Sequence, residues 1–320
     1  ASENSSVKLK TVIGVVVLVA ALVAAQLVLR SLEKEYYLTQ LTMSMYYAIV
    51  VIGLCLVMGY AGQVSLGHGA FFAIGGYTSA VLTTYDFSRF QEAAWGRLFK
   101  YLRVFVVRQD LYGEEMLNVT PWAAFLAAMA LTFVVACLIG YPALRLKGHY
   151  LAMATLGFGL IVYKIILGSE ITGTTDGVVG VPAWSFGEAV SIAGKSSLRV
   201  QNYYIACGVL LVLLLLLRNL VQSRVGRALQ AIHDRETAAN AMGINTARYK
   251  LKAFVASALL AAIAGVLLTH YTGGISPSET SAMKSVRYVA LAAAGGMNNL
   301  WGTAVMSTVL NFFSLRGWFG

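Results

Sequence analysis

The sequence contains few charged residues. Asp, Glu, Lys and Arg make up 12% of its 320 residues, about half of the fraction that is usual in soluble domains. Apolar residues make up 58% and the mean hydropathy is +0.71, so too little polar surface remains to cover a soluble fold. The composition predicts a polytopic membrane protein. It also argues against nucleic-acid binding, because the main basic run connects two apolar segments instead of lying on a soluble face.

Cysteine and proline are also scarce. Cys55, Cys137 and Cys207 all fall inside apolar runs, without CxxC or Cys/His spacing. Disulfide and metal sites are therefore poor interpretations, and a role as small core residues is favoured. Proline has no N–H and a fixed φ, so it is expected at the boundaries of helices. Accordingly, Pro121 is predicted to open a helix and Pro142 to follow one.

Motifs for catalysis and for ATP binding are absent from the sequence. There is no GxxxxGK[ST] phosphate loop, no HExxH and no GxSxG. The predicted spans also contain no Asp or Glu, whereas ion-coupled carriers usually place such groups inside the bundle. Charged or titratable residues that enter spans lie near span ends, where they can snorkel or pair, as at Lys164, Arg287 and His270. The chain is therefore predicted not to be an enzyme, and it has no motif with which to use ATP by itself.

Long apolar runs predict an all-α fold, a polytopic transmembrane helical bundle of about eight spans. Lys8 and Lys10 precede the first run, which is longer than the apolar core of a cleaved signal peptide and is therefore interpreted as a retained helix. The spans are predicted at residues 11–29, 39–58, 67–84, 121–140, 149–167, 203–219, 253–270 and 285–314.

The distribution of basic residues predicts the orientation of the bundle. The connection 218–252 carries seven basic and two acidic residues, whereas the connection 85–120 carries five of each. Lys and Arg concentrate in cytoplasmic loops. The segments 141–148 and 218–252 are therefore predicted to be cytoplasmic, together with the N-terminus, and 85–120 and 168–200 are predicted to be outer loops.

The outer loop 85–120 has a pattern of its own. Trp95, Leu98, Phe99, Leu102, Phe105 and Val106 recur at helical spacing, with basic residues between them. This pattern is typical of an amphipathic helix at the membrane interface. A docking surface for an external partner is the alternative.

Two glycine-rich interruptions break the apolar pattern, near residues 59–70 and 295–299. Hydrocarbon offers backbone groups no hydrogen-bond partners, so a break inside a span must be buried in protein or line a cavity. In transporters, paired breaks of this kind indicate the substrate site. A plain turn at the first break and ordinary glycine-rich helix packing are the alternatives. The candidate pathway residues are Gly62, Gln63, Ser65, Gly67, His68, Gly69, Gly295, Gly296, Asn298 and Asn299.

The basic connection 218–252 is predicted to contain two short helices. Val225, Leu229 and Ile232 form an apolar stripe at helical spacing. A second helix can begin near Asp234 and end at Gly243, since glycine readily adopts the positive φ of a helix end. Such a compact element suits docking to a cytoplasmic partner, although a solvated connector is the alternative.

Three stretches carry a resemblance: GYAGQVSLGHGAFFAIGGY (59–77), TGTTDGVVGVP (172–182) and GRALQAIHDRETAANAMGIN (226–245). They resemble the LivH/LivM family, the inner-membrane permease subunits of ABC transporters for branched-chain amino acids, and most of all its LivM-type members. The resemblance implies a single transmembrane permease domain over residues 1–320. It also implies that 218–252 is the ATPase-coupling loop, with contacts from Gly226, Arg227, Ala228, His233, Asp234, Glu236, Ala239 and Gly243.

The resemblance further implies a set of partners. These are a sister permease subunit, two cytoplasmic ABC ATPase subunits that hold ATP and Mg, and a periplasmic substrate-binding protein, while this chain itself holds no cofactor. It implies a multi-pass protein of the bacterial inner membrane, surrounded by lipid, and one more span beyond Gly320. Urea or short-amide permeases are closely similar and form the alternative function. An ion-coupled secondary carrier or a channel is the alternative from another class.

Overall fold

The computed structural model describes residues 20, 22–24, 26–88, 105–109, 115–144, 146, 148–186 and 190–315. Most of them are helical, which confirms the predicted all-α polytopic bundle. The helices are α1 (Tyr36–Cys55, continued by the π-helix Leu56–Tyr60), α2 (His68–Thr84), α3 (Pro121–Ala143), α4 (His149–Gly168), α5 (Arg199–Gln222), α6 (Arg224–Asp234), α7 (Glu236–Ala241), α8 (Thr246–Thr272), α9 (Ala282–Gly295) and α10 (Leu300–Leu315).

The helices follow the predicted spans closely. Within the described residues, α1, α3, α4, α5 and α8 are long and apolar enough to cross a membrane. The shorter α2, α9 and α10 arise because both predicted interruptions exist, one between α1 and α2 and one between α9 and α10. The first predicted span, 11–29, lies mostly outside the described residues, although residues 26–29 are helical.

One predicted helix boundary is wrong. Pro142 lies inside the last turn of α3 instead of following the helix. A proline in the final turn removes only its own N–H donor. The turn still closes, because the Leu144 N–H donates to the Gly140 carbonyl at 2.9 Å.

Helix α1 forms the centre of the bundle. Its side chains from Ser44 to the end of the π-helix are buried on every side, as expected for a helix that is apolar all round. Helices α5, α8, α9 and α10 pack around it. By contrast, the peripheral α3 and α4 turn large apolar side chains outward, including Leu126, Leu138 and Ile161, each more than half exposed. Such faces suit contact with lipid hydrocarbon.

Helices α2 and α8 lie side by side in very close contact. A Cβ atom on Gly265 of α8 would lie 2.0 Å from the Phe72 carbonyl oxygen of α2, and one on Gly75 would lie 2.5 Å from the Ala262 oxygen. Small residues let membrane helices approach this closely. Helices α2 and α8 run in the same direction, so the depth of an α2 residue in the bundle is given by the α8 residue that it contacts.

Two ends of the bundle can be distinguished along α8, which at 1.5 Å per residue is about 40 Å long. The end near the start of α8 carries α6 and α7; because these two helices form a hairpin, it is here called the hairpin end. The opposite end carries β6 (Gly274–Ile275), which pairs antiparallel with β3 (Val178–Val179). There His270 is buried, with Nδ1 2.7 Å from the Pro182 carbonyl and Nε2 2.8 Å from the Ser79 hydroxyl. These bonds hold the segment 172–182 against α2 and α8, so His270 has a structural role inside the protein.

Helices α2 and α9 both begin inside the bundle. After β6 the chain folds back through a short 3₁₀-helix, Pro277–Thr280, before Ser281 caps α9. The Ser285 hydroxyl accepts the Gly69 N–H at 3.3 Å, which places the start of α9 beside the start of α2. Next to it, His68 contacts Ser257, near the middle of α8. Both helix starts therefore lie at about half the depth of the bundle.

The described part of the loop 85–120 is a β-hairpin. Strands β1 (Phe105–Gln109) and β2 (Glu115–Val119) pair antiparallel, with Phe105 opposite Val119. The helical pattern therefore does not extend to Phe105 and Val106, because this β-branched stretch finds a pairing strand. The rest of the predicted amphipathic helix, residues 95–104, lies outside the described residues. A second hairpin joins β4 (Trp184–Phe186) to β5 (Val190–Ile192).

Helices α6 and α7 form a capped hairpin, here called the α6–α7 hairpin (residues 224–241). The Ser223 hydroxyl accepts the Val225 N–H at 3.1 Å and starts α6, and the Asn245 side chain caps α8 in the same way. Leu229 and Ile232 of the predicted stripe are buried. Gly243, two residues after the end of α7, adopts a φ of +82°, as its position predicts.

Candidate functional site

The first interruption opens a stretch of backbone inside the bundle. The π-helix ends at Tyr60, and residues 61–67 are not helical before α2 begins at His68. Gly62 has a φ of +67°, which reverses the chain. The broken backbone is satisfied inside the protein: the Gln63 N–H donates to the Val57 carbonyl at 3.0 Å, and the Leu66 N–H donates to the Thr155 hydroxyl at 2.9 Å.

The second interruption is short and lies at the hairpin end. Gly296 has a φ of +89° and ends α9. Asn299 then caps α10, because its side-chain oxygen accepts the Gly302 N–H at 3.2 Å. Residues 296–299 are exposed, unlike most of the first interruption. Gly295, Gly296 and Asn299 therefore shape this turn and do not reach the interior where residues 63–69 lie.

The two interruptions touch each other. The Cys55 thiol donates to the Met297 carbonyl at 2.7 Å, and the Tyr60 hydroxyl donates to the Asn298 carbonyl at 2.8 Å. At Gly59 a Cβ atom would lie 1.7 Å from the Met297 oxygen. These contacts join two segments that are more than 200 residues apart in sequence.

Buried polar atoms line the inside of the first interruption. The exposed fraction is 5% for Gln63 and 1% for both Ser65 and His68. Gln63 Oε1, Ser65 Oγ and His68 Nδ1 find no hydrogen-bond partner among the residues that the structure describes. A buried polar group without a partner is costly. Three such groups within six residues indicate a place where a polar molecule or water is accommodated.

The other ring nitrogen of His68 is held by α8. Nε2 lies 2.6 Å from the Ser257 hydroxyl, and the ring edges face Phe71 and Phe254. The two residues that flank His68 are glycines, and both lie against other parts of the protein. A Cβ on Gly67 would lie 2.9 Å from the Thr155 oxygen, and one on Gly69 would lie 2.6 Å from the Ser285 hydroxyl, so larger side chains do not fit there. The histidine thus fixes the start of α2 to the middle of α8.

The exchange Ser257→Ala is expected to destabilise the bundle by roughly 1–2 kcal/mol, since it leaves both ring nitrogens of buried His68 without a protein partner. The matched control is Ser44→Ala, because the Ser44 hydroxyl is also buried but bonds only the Gln40 carbonyl of its own helix. Thermal unfolding in detergent measures both. Equal midpoints for the two variants would show that the His68–Ser257 contact contributes nothing.

The α6–α7 hairpin contacts the first interruption directly. A Cβ atom on Gly62 would lie 2.7 Å from Nδ1 of His233 in α6. Beside this contact is a cavity of about 350 Å³, lined by Gly59, Tyr60, Val221, Gln230, His233, Asp234 and Asn298. The cavity thus joins both interruptions to α6. The hairpin and Gly62 are therefore in van der Waals contact.

The predicted hairpin residues fall into two groups. Gly226 and Ala239 are buried within this chain, and a Cβ on Gly226 would lie 1.8 Å from the Val221 oxygen. Glu236 pairs with Lys250 at 2.7 Å, and Ala228 is partly buried. These four residues build the hairpin. The exposed residues, which are accessible to another molecule, are Arg227, His233, Asp234 and Gly243.

The structure also brings an acid into the bundle that the sequence pattern places in a loop. Glu279, in the fold-back between α8 and α9, pairs with Lys284. Both of its carboxylate oxygens lie 3.1 Å from the Tyr47 hydroxyl, in the middle of α1. The predicted spans themselves still contain no acid, since Glu279 belongs to the connection between two of them. Pro277, two residues earlier, begins the short helix that carries Glu279.

Membrane-spanning helices that are interrupted in this way, with buried polar groups at the break, are typical of the transporter class of membrane proteins. The chain belongs to the family of branched-chain amino acid transport system permease components, whose sequence profile matches residues 36–319.

Individual relatives agree with this assignment. The chain is 31% identical over 288 residues to the high-affinity branched-chain amino acid transport system permease protein LivM of Escherichia coli, an alignment that covers 84% of this chain and 60% of LivM. It is 24% identical over 286 residues to LivH of the same organism, covering 86% and 84%. It is 25% identical over 295 residues to BraD of Pseudomonas aeruginosa, covering 87% and 85%. No solved structure matches the chain.

Proposed function

We propose that this chain is the membrane-spanning permease subunit of an ABC importer that takes up branched-chain amino acids. The observation that carries the proposal is the contact of both helix interruptions with each other and with the α6–α7 hairpin. The relatives named above are branched-chain amino acid permeases, which favours this substrate class over urea or a short amide. Because the chain spans only about 60% of the LivM relative, activity, substrate and partners are part of the proposal.

In the proposed mechanism, the bundle alternates between states open to one side or the other. The 350 Å³ cavity at the hairpin end lies between the interruptions and α6, and it is the exit in the inward-open state. Gln63, Ser65 and His68 offer polar atoms along the way, and the surrounding helices are apolar. Such a path handles the charged ends of an amino acid with polar groups and its aliphatic side chain with hydrocarbon surface.

The energy is proposed to enter through the α6–α7 hairpin. Two ABC ATPase subunits, which hold ATP and Mg, would bind its exposed residues, and His233 would pass their movement to Gly62. A sister permease subunit and a periplasmic binding protein complete the proposed assembly. The hairpin end is then cytoplasmic, the N-terminus lies on the same side, and the membrane is the bacterial inner membrane.

Reconstitution tests the proposed function. In proteoliposomes that contain the permease pair, the ATPases and the binding protein, we expect leucine uptake only with ATP inside and only with binding protein outside. Urea at the same concentration is not expected to be taken up. Leucine uptake without the ATPase subunits would contradict the importer and favour a carrier or channel, and urea uptake in place of leucine would contradict the substrate class.

A further inference from the structure

A partly buried ion pair lies at mid-depth, on the side of the bundle away from the α6–α7 hairpin. The Glu279 and Lys284 side chains are only 14% and 25% exposed. The Lys284 ammonium donates to the Tyr47 hydroxyl at 3.1 Å and lies 4.8 Å from the centre of its ring. The Glu279 carbonyl lies 3.6 Å from the position that a Cβ on Gly69 would take. The pair is thus beside the start of α2, where the first interruption ends.

Removing charged groups from water costs free energy, so the position of this ion pair inside the bundle needs an explanation. The desolvation of two buried charges often cancels their attraction, so a buried pair is weak evidence for stability. Ionisable groups within membrane bundles usually mark a functional site. Nearby, the Tyr288 ring lies 6.2 Å from the Tyr47 ring, and its buried hydroxyl has no hydrogen-bond partner among the described residues. The site therefore contains a buried polar group in addition to the ion pair.

A cavity of about 300 Å³ opens onto Glu279 and leads to the β3–β6 end; it is here called the Glu279 cavity. This equals the share of roughly ten water molecules in the liquid, enough for one small molecule. The two charged residues in its lining, Asp176 and Glu279, are both acids. Lys284 pairs with Glu279 but does not line the cavity, so both charges that face the cavity are negative and favour a cation. Its apolar lining consists of Met43, Phe72, Val179, Leu268 and Ile275, with the ring of Tyr47 beside them.

We propose that the Glu279 cavity binds the α-ammonium group of the amino acid as it enters the bundle. Glu279 accepts the ammonium in exchange for part of its contact with Lys284, and the apolar lining receives the aliphatic side chain. A carboxylate has about four acceptor positions, so Tyr47 and Lys284 do not exhaust it. The inference rests on the proposed function, since it names the site at which the proposed substrate is recognised.

Thiol labelling measures binding at this site without transport. Met43, a partly buried residue of the lining, is replaced by cysteine, and Cys137, the partly exposed native cysteine, by alanine; Cys55 and Cys207 are buried. In the assembled complex, leucine is expected to slow labelling by a small charged methanethiosulfonate severalfold. Isoamylamine, which is leucine without its carboxylate, should protect as well. Isocaproate, which lacks the amino group, should not.

Variants of the ion pair separate binding from structure. Glu279→Gln is expected to abolish the protection by leucine, whereas Glu170→Gln, an exposed acid at the same end of the bundle, should retain it. Because Glu279→Gln leaves Lys284 unpaired and can unfold the protein, the double variant Glu279→Gln with Lys284→Gln is measured too. It is expected to fold and still show no protection. Protection at the wild-type level in the double variant would overturn the proposal and leave the ion pair a structural tie.

The remaining outcomes distinguish this proposal from the proposed function. If the wild-type complex takes up leucine with ATP but leucine gives no protection at position 43, or isocaproate protects as well as leucine, the ammonium site is wrong and the importer stands. If leucine and isoamylamine protect but ATP drives no uptake, the site stands and the importer is wrong.

Discussion

Replacing Gly59 by alanine is expected to destabilise the bundle by about 1–3 kcal/mol or more and to abolish transport. The new Cβ would lie 1.7 Å from the oxygen and 2.5 Å from the carbon of the Met297 carbonyl. Both are backbone atoms, so no side-chain rotation relieves the overlap, and inserting a methyl group into a packed site costs this amount. The second interruption would have to move away from the first, which breaks the bonds from Cys55 and Tyr60.

The sign of the expected stability change distinguishes Gly59 from a glycine in an open helical position. Alanine favours helical conformations by up to about 1 kcal/mol relative to glycine, so the same exchange should be neutral or stabilising where space exists. Gly208 of α5 provides the control, because a Cβ there would meet nothing within 4 Å. Thermal unfolding of the purified chain and ATP-driven uptake by the complex measure both variants. A Gly59→Ala protein as stable and active as Gly208→Ala would show that the two interruptions do not pack as described.

Much of the fold is local and therefore predictable from the sequence. Hydropathy indicates each long helix because a span must be apolar over its whole length. Clustered glycines indicate both interruptions, since they weaken a helix and permit the positive φ found at Gly62 and Gly296. The α6–α7 hairpin follows from the apolar stripe at Val225, Leu229 and Ile232 and from Gly243, whose positive φ suits a helix end. These features depend on a few neighbouring residues.

The role of a residue in three dimensions is harder to predict. Glu279 lies in a stretch whose composition is typical of a loop, and only the fold-back into the bundle, held by Tyr47 and Ser285, gives it depth. Similarly, the sequence pattern does not distinguish Gly226 and Ala239, which pack inside the hairpin, from exposed Arg227. Periodicity assigns a residue to a face of a helix, but the burial of that face depends on contacts distant in sequence. The sites that combine distant segments therefore require the structure.

Replacing Arg227 by glutamate is expected to weaken binding of the ATPase subunits by about 2 kcal/mol or more, roughly thirtyfold. Arg227 is exposed on α6, on the hairpin whose His233 contacts Gly62. A reversed charge on a docking surface leaves a group of the partner facing the same sign. Because the side chain is exposed, the thermal stability of the permease itself should not change. Co-purification of the ATPases and equilibrium binding to the permease in nanodiscs measure the effect.

Two further variants distinguish a loss of docking from a general charge effect and from a loss of stability. Lys195→Glu makes the same charge change at an exposed position beside the end of α8, at the opposite end of the bundle from the hairpin, and should bind the ATPases normally. Ala239→Trp should act differently from both, because Ala239 is only 2% exposed and a large ring there overfills the packing of α7. It should lower the unfolding temperature of the permease itself, with any loss of ATPase binding following from that. If Arg227→Glu leaves an intact and fully active complex, the hairpin is not the coupling element, and the contact between His233 and Gly62 has only a structural role.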